Sequence, residues 1–147
     1  LNVMSKPYAD YALSAEKMAV WDTAIRVRSD VNGVLERARA DKRIGKSLEA
    51  HVTLSALDAP AAEALKAVRE MNLAELFIVS NVSVADERAR ENAVTGSGTN
   101  FPGLTIEVTE APGTKCPRCW MHSEQANEEG LCPRCAEVMK NFVETEL

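Results

Sequence analysis

The sequence lacks several features that would assign it to common classes of protein. No apolar run approaches the roughly 20 residues of a membrane helix, so we expect no membrane span. The formal net charge is −5, which argues against a protein coated in basic residues for nucleic acid but leaves room for a local basic face. Nothing near Leu1 reads as a secretory signal, which argues against structural disulfides.

The features of a self-sufficient enzyme are missing as well. The 147 residues show no recognisable pair of catalytic carboxylates, no nucleophile beside a base and no nucleotide-binding signature. We therefore expect the chain to be catalytically inactive by itself.

All four cysteines lie in two Cys-x-x-Cys pairs, Cys116–Cys119 and Cys132–Cys135, with twelve residues between the pairs. Each pair can form a tight turn that directs both sulfurs toward one point. Together the two turns supply four thiolates in a tetrahedron, which is the ligand set of closed structural zinc sites. The spacing therefore predicts one structural Zn²⁺ held by Cys116, Cys119, Cys132 and Cys135.

Other uses of these cysteines are less favoured. Iron in a rubredoxin-like site has the same geometry as zinc, so geometry alone does not separate the two metals. A redox pair is usually single and lies where a strand meets a helix. His122 follows Cys119 by three residues and could replace a cysteine ligand, but four cysteines already complete the set.

A long helix is predicted from about Ser14, because apolar residues recur mostly every three or four positions. We expect this stripe to be buried, with Trp21 as its largest member; it comprises Met18, Trp21, Ile25, Val31, Leu35 and Ala38.

Positive charge is concentrated at the end of this helix. Between Arg37 and Lys46, one negative residue, Asp41, accompanies five positive ones, namely Arg37, Arg39, Lys42, Arg43 and Lys46. A solvated helix face is one interpretation of such a run. The local excess of positive charge also makes this cluster the best candidate in the chain for contact with phosphates.

The middle of the chain has the alternation that is typical of strands. This alternation predicts a strand–helix–strand–strand unit. Its elements are a strand at His51–Ala56, a helix from about Asp58, a buried strand at Leu76–Val84, a loop at Asp86–Asn100 and a strand at Leu104–Thr109. His51 is expected to point outward. A short helix begins near Cys132, so the predicted fold class is α+β: a long helical N-terminal segment, this small unit, and a C-terminal four-cysteine zinc knuckle with its short helix.

Several stretches then resemble the C-terminal region of bacterial isoleucyl-tRNA synthetases. The similarity includes order and spacing over about residues 16 to 139, and its residues lie in Trp21–Arg39, Lys42–Ala50, Lys115–Trp120 and Gly130–Cys135. Formamidopyrimidine-type DNA glycosylases are similar only over the knuckle, and their N-terminal catalytic proline has no counterpart at Leu1.

The resemblance implies a fragment of a larger, ATP-dependent cytoplasmic ligase that works as a monomer. It implies that residues 1–47 end the helical anticodon-binding domain, that 48–112 form a small α/β subdomain, and that 113–147 form the zinc-binding knuckle. The implied partners are the anticodon stem-loop of tRNA(Ile) and the remaining domains of the synthetase. The catalytic His-Ile-Gly-His and Lys-Met-Ser-Lys-Ser signatures of the family are absent.

Two roles are open for the residues around the knuckle. Lys115, Arg118 and Arg134 place positive charge beside the thiolates, where they can compensate charge or contact phosphates. Trp120 can stack on an unpaired base or pack the knuckle against its neighbour. The candidate RNA-binding residues are Lys115, Arg118, Trp120, Arg134, Arg39, Lys42, Arg43 and Lys46. The alternative function is a structural or protein-interaction zinc module that buttresses a larger enzyme without touching RNA.

Overall fold

The computed structural model describes residues 3–6, 8–85 and 93–145, with side chains described as far as residue 142. Its helices are α1 (Ala15–Ala40), α2 (Ala59–Val68), α3 (Leu73–Phe77) and α4 (Pro133–Thr145). Its strands are β1 (Ala50–Ala56), β2 (Asn81–Val84), β3 (Val94–Ser97), β4 (Leu104–Glu110), β5 (Thr114–Lys115) and β6 (His122–Ser123). The predicted α+β class is confirmed. None of the helices in this part of the chain combines the length and apolar character of a membrane span.

Four strands form one mixed sheet in the order β2-β1-β4-β3. Strand β1 pairs in parallel with β2 and antiparallel with β4, and β3 pairs antiparallel with the other side of β4. The two central strands pair from Ala50 opposite Glu110 to Ala56 opposite Leu104. A separate two-stranded hairpin, β5–β6, belongs to the knuckle region.

The long helix α1 and the sheet share one hydrophobic core. Val27, Val31 and Val34 of α1 are buried together with Val52 and Leu54 of β1. Aliphatic side chains packed between a helix and a sheet lose most of their contact with water, which stabilises this arrangement. The domain boundary after residue 47 stays a prediction about the longer protein, whereas α1 and the sheet are one packed unit here.

One buried carboxylate fastens α1 to the segment before β4. Asp30 Oδ1 accepts hydrogen bonds from the backbone N–H of Thr99 at 2.9 Å and of Asn100 at 2.9 Å, and from Asn100 Nδ2 at 2.8 Å. Asp30 Oδ2 accepts from the Phe101 N–H at 3.0 Å. Because Asp30 is buried, these bonds satisfy a group that would otherwise be costly to remove from water.

The expected burial of the helix stripe is wrong for its first half. Met18, Trp21 and Ile25 are exposed, with 44% of Trp21 accessible, whereas Val31, Leu35 and Ala38 are buried as expected. The elements that lie closest to α1 are α2, α3 and strands β3 and β4. The described residues therefore cover the first half of the stripe only in part.

The middle unit also differs from expectation in three places. Leu73–Phe77 forms α3, so strand β2 begins only at Asn81. Val94–Ser97 is an edge strand inside the stretch predicted as a loop, and residues 86–92 of that stretch lie outside the described part of the chain. His51 is buried rather than outward, because β1 is a central strand with both faces covered, and its Nε2 lies 2.7 Å from Ser83 Oγ.

Candidate metal centre and the surrounding cations

The sulfur atoms of Cys116, Cys119, Cys132 and Cys135 all lie within 4.8 Å of one another. The Sγ atoms of Cys119 and Cys132 are 3.7 Å apart. Four sulfurs bound at about 2.3 Å to one tetrahedral ion are about 3.8 Å apart, so this spacing fits a single Zn²⁺. The thiolates would hold the metal, and a site with four protein ligands stabilises structure and leaves no open position for chemistry.

The first pair forms a tight turn that is closed by the backbone. The Trp120 N–H donates to the Cys116 carbonyl at 2.8 Å, and the Cys116 N–H donates to the Met121 carbonyl at 2.9 Å. Burial opposes ionisation of the Cys116 thiol, but the backbone N–H groups of Cys119, Cys132 and Arg118 outweigh it and lower its pKa to about 6. Oriented backbone dipoles thus prepare a metal-binding thiolate.

Two arginines lie beside the sulfurs. Arg118 Nη1 lies 3.7 Å from Cys135 Sγ, and this contact is the main cause that lowers the pKa of the Cys135 thiol. Interaction with the Cys119 sulfur raises the pKa of the Arg134 guanidinium. By contrast, burial raises the pKa of the Cys132 thiol to about 11. Both arginines are therefore placed to compensate thiolate charge while remaining exposed.

The knuckle has a small core of its own. Buried Cys116, Leu131, Cys132 and Cys135 form it, with Cys119 and Ala136 packed against them. This core is distinct from the one between α1 and the sheet. Most of its buried members are metal ligands, so few apolar contacts hold it together without the metal.

A buried serine joins the knuckle to the sheet. Ser80, just before β2, donates through Oγ to the Leu48 carbonyl at 2.5 Å and accepts from the His122 N–H at 2.7 Å. Sequence reasoning missed Ser80, because a single serine between a helix and a strand carries no pattern. One hydroxyl thus connects three segments that are far apart in sequence.

We expect Ser80→Ala to loosen the knuckle from the sheet. The change leaves the partly buried His122 N–H and Leu48 carbonyl without this partner, a cost of about 1–3 kcal/mol. Hydrogen exchange at the His122 amide should accelerate, whereas amides of β1 should keep their protection. Ser123→Ala is the control, because the Ser123 hydroxyl accepts a hydrogen bond from the exposed Gln125 N–H. Unchanged His122 exchange in Ser80→Ala would contradict this role.

The two predicted cation clusters meet in space. Lys46 Nζ lies 5.3 Å from the centroid of the Trp120 ring, a cation–π distance, although the residues are far apart in sequence. Lys42, Arg43 and Lys115 line a common cleft of about 500 Å³, together with Glu49, Glu110 and His122. The helix end and the knuckle therefore contribute to one face.

Glu49 holds the turn that presents Lys46. Its Oε2 accepts from the Gly45 N–H at 2.9 Å and the Lys46 N–H at 3.1 Å. These two backbone donors lower the pKa of the Glu49 carboxyl, with smaller contributions from Lys115 and His122. The Arg39 guanidinium binds other residues of this chain, because it pairs with Glu36 and also donates to Ser47 Oγ.

Trp120 is 55% exposed, and its ring faces Lys46 outside the knuckle, so stacking on a base and packing of the knuckle both stay predictions for it. Its backbone has a φ of +67°, a left-handed conformation that is uncommon for a residue other than glycine. His122 is not one of the clustered ligands, and neither of its buried ring nitrogens has a hydrogen-bond partner among the described residues. The four cysteines remain the ligand set that fits zinc.

The fold and the site together define a four-cysteine zinc knuckle docked on a small α+β unit. Residues 113–138 match the family described as "Zinc finger found in FPG and IleRS". The zinc prediction is thus confirmed by this family and by the clustered sulfurs.

Relatives extend the similarity far beyond the knuckle. The chain is 39% identical over 133 residues to an isoleucine–tRNA ligase of Staphylococcus epidermidis (strain ATCC 35984), covering 87% of the chain and 14% of the relative. It is 42% identical over 134 residues to that of Pectobacterium atrosepticum, covering 86% and 14%. It is 38% identical over 152 residues to that of Lactobacillus johnsonii, covering 99% and 16%. The predicted resemblance to the C-terminal region of bacterial isoleucyl-tRNA synthetases is confirmed, and the chain spans 14–16% of these relatives' length.

Proposed function

We propose that the chain is the tRNA-binding C-terminal part of an isoleucyl-tRNA synthetase. It contacts the anticodon stem-loop of tRNA(Ile), so that the full-length cytoplasmic enzyme can use ATP to attach isoleucine to that tRNA. The similarity to isoleucine–tRNA ligases supports the parent enzyme. The observation that carries the RNA-binding role is the position of Lys46 over the exposed Trp120 ring.

This arrangement suits single-stranded RNA. An exposed indole offers a face on which an unpaired base can stack, and nearby cations can hold the phosphates on either side. Arg118 and Arg134 are exposed on the two Cys-x-x-Cys turns. Lys42, Arg43 and Lys115 add positive charge in the adjoining cleft. The overall charge of −5 repels RNA, so this face must supply the attraction.

The second proposed partner of this chain is the rest of the synthetase. We propose that residues 1–47 continue its helical anticodon-binding domain, followed by the subdomain 48–112 and the knuckle 113–147. Met18, Trp21 and Ile25 are exposed along the first half of α1, and contact with the preceding domain would cover them. By itself, the chain should form no isoleucyl-adenylate, because the sequence contains none of the nucleotide-binding signatures.

We expect Arg118→Ala and Arg134→Ala to weaken tRNA binding and retain zinc. Each lost phosphate contact should reduce the slope of log affinity against log salt by about 0.7–0.9. The measurement is binding of tRNA(Ile) to the zinc-loaded chain at several salt concentrations. Arg69→Ala is the matched control, because Arg69 is an exposed arginine that ends α2 and lies outside the knuckle residues 113–138 in sequence.

The same measurement tests the buttress alternative. That alternative draws support from the arginines' contacts with the sulfurs of Cys135 and Cys119, which a purely structural role also explains. If both variants bind tRNA with the affinity and salt slope of the original chain, the two arginines only compensate thiolate charge. The alternative function, a structural zinc module that does not contact RNA, is then favoured. Loss of zinc together with loss of binding in both variants would also favour it.

A further inference from the structure

The imidazole of His122 is a buried polar group that the metal centre does not use. Its backbone N–H donates to Ser80 Oγ at 2.7 Å, and strand pairing sets His122 opposite Lys115. The ring nitrogens Nδ1 and Nε2 are buried, yet neither has a hydrogen-bond partner within the part of the chain that the structure describes. Because buried polar side chains are almost always hydrogen-bonded, this ring indicates a ligand.

The ring lines the cleft of about 500 Å³ that the end of α1 and the knuckle share. Three cations line it as well: Lys42 and Arg43 follow α1, and Lys115 belongs to β5. Among the residues that the structure describes, none of these three forms an ion pair. All three are exposed, so their charges are available to an anion that enters the cleft.

Two carboxylates in the cleft reduce this positive charge without cancelling it. Glu49 Oε2 already accepts from the Gly45 and Lys46 N–H groups, and these two bonds are the main causes that lower the pKa of the Glu49 carboxyl. Glu110 is exposed at the end of β4. The three cations therefore exceed the two carboxylates by one charge, and a protonated imidazole donates through both of its nitrogens. Such a set of donors fits an anion with several acceptor oxygens.

We propose that this cleft binds one phosphate group, with the His122 ring donating to a phosphate oxygen and the three cations balancing the phosphate charge. Phosphate carries several strong acceptor oxygens on one small anion. Two sources offer the same chemistry, namely free inorganic phosphate and the backbone of bound RNA. Only the second source rests on the tRNA-binding function, where it would add His122 to the residues that contact RNA.

The first test titrates the zinc-loaded 147-residue chain with inorganic phosphate at neutral pH and constant ionic strength. The chain has two histidines, so their ring signals in NMR spectra can be told apart. We expect a saturable shift of the His122 ring signals. The His51 ring is the internal control, because its Nε2 lies 2.7 Å from Ser83 Oγ in the sheet and it should not respond.

Substitutions separate the imidazole from general positive charge. His122→Ala should weaken phosphate binding about tenfold, the loss expected for one hydrogen bond to a charged group. His122→Gln should recover part of that loss, since the amide still donates, and the Gly113 amide signal in the cleft reports binding in both variants. Lys115→Ala should also weaken binding, and it serves if the His122 variants fail to fold. Lys66→Ala is the matched control, because Lys66 is exposed on α2 and does not line the cleft.

The second test uses the anticodon stem-loop of tRNA(Ile) as the source of phosphate. If the RNA backbone occupies the cleft, the stem-loop should shift the same His122 signals, and inorganic phosphate should compete with it. His122→Ala should then weaken stem-loop binding about tenfold as well. If inorganic phosphate binds and the stem-loop does not displace it, free phosphate is the ligand.

The phosphate site and the tRNA-binding function can fail separately. If the chain binds no stem-loop but inorganic phosphate binds through His122, the tRNA-binding function fails and the phosphate site stands. If the stem-loop binds with its expected salt slope, while His122→Ala binds both ligands as well as the original chain does, only the phosphate site is overturned. Equal or unsaturable shifts at His51 and His122 with both ligands would show non-specific ion binding and would likewise overturn it.

Discussion

Removal of zinc should unfold the knuckle and leave the rest of the chain folded. The reason is that the chain has two separate cores, and the knuckle core consists mainly of the metal ligands. Apparent binding free energies of about 10–16 kcal/mol stabilise such sites, and the same energy folds the segment around them. With a chelator present, backbone amides from 113 onward should exchange rapidly, whereas those of α1 and β1 should stay protected.

Substitution of the ligands should give the same result. Cys116 and Cys135 are fully buried, so Cys116→Ser and Cys135→Ser should lose bound zinc and the protection of the knuckle amides together. His122→Ala should keep its zinc, because His122 is not among the clustered ligands. Metal analysis of reduced protein distinguishes zinc from iron. Full zinc content in Cys116→Ser, or a protected knuckle in the metal-free protein, would contradict the four-cysteine site.

Asp30→Ala should be the most destabilising change outside the metal site. It removes the acceptor for the backbone N–H groups of Thr99, Asn100 and Phe101 at a buried position. Each unsatisfied donor costs about 1–3 kcal/mol, and partial entry of water reduces the sum, so we expect a loss of about 3–5 kcal/mol. The measurement is urea unfolding of the zinc-loaded chain, followed by helix circular dichroism.

Two further variants check the cause of that loss. Asp22→Ala changes an exposed carboxylate on the same helix and should alter stability by no more than about 0.5 kcal/mol. Gly98→Ala should destabilise the same contact from the other side, since a Cβ at Gly98 would lie 2.3 Å from Asp30 Oδ2. A urea midpoint for Asp30→Ala close to that of Asp22→Ala would show that Asp30 does not anchor the loop.

The features that the sequence predicted well depend on short-range patterns. The Cys-x-x-Cys spacing alone determines that Cys116 and Cys119 can face one point, and the structure adds the second pair at the same point. The alternation of apolar and polar residues in Leu104–Thr109 likewise predicted β4, although the first five residues of this central strand are all buried. In both cases the pattern and its structural cause lie within a few residues.

The features that the sequence did not predict depend on partners elsewhere in the chain. Apolar spacing places Trp21 and Val31 on one stripe, but only Val31 meets the sheet. The Leu-Phe-Ile-Val run predicts a strand, whereas the Asn72 side chain caps a helix by accepting from the Glu75 N–H. The approach of Lys46 to Trp120 has no local signal, because it results from docking of the knuckle on the sheet.

The pairing of β1 with β4 has a consequence for the order of folding. Its paired residues are between 48 positions apart (Ala56 with Leu104) and 60 positions apart (Ala50 with Glu110), and such distant pairing slows folding. During synthesis, the apolar face of α1 has no complete sheet to cover it until residue 110 has left the ribosome. The knuckle ligands, from Cys116 to Cys135, come from a much shorter segment that can close quickly once metal binds. Late sheet closure therefore makes the nascent chain prone to aggregation at the stage when most of it has already been made.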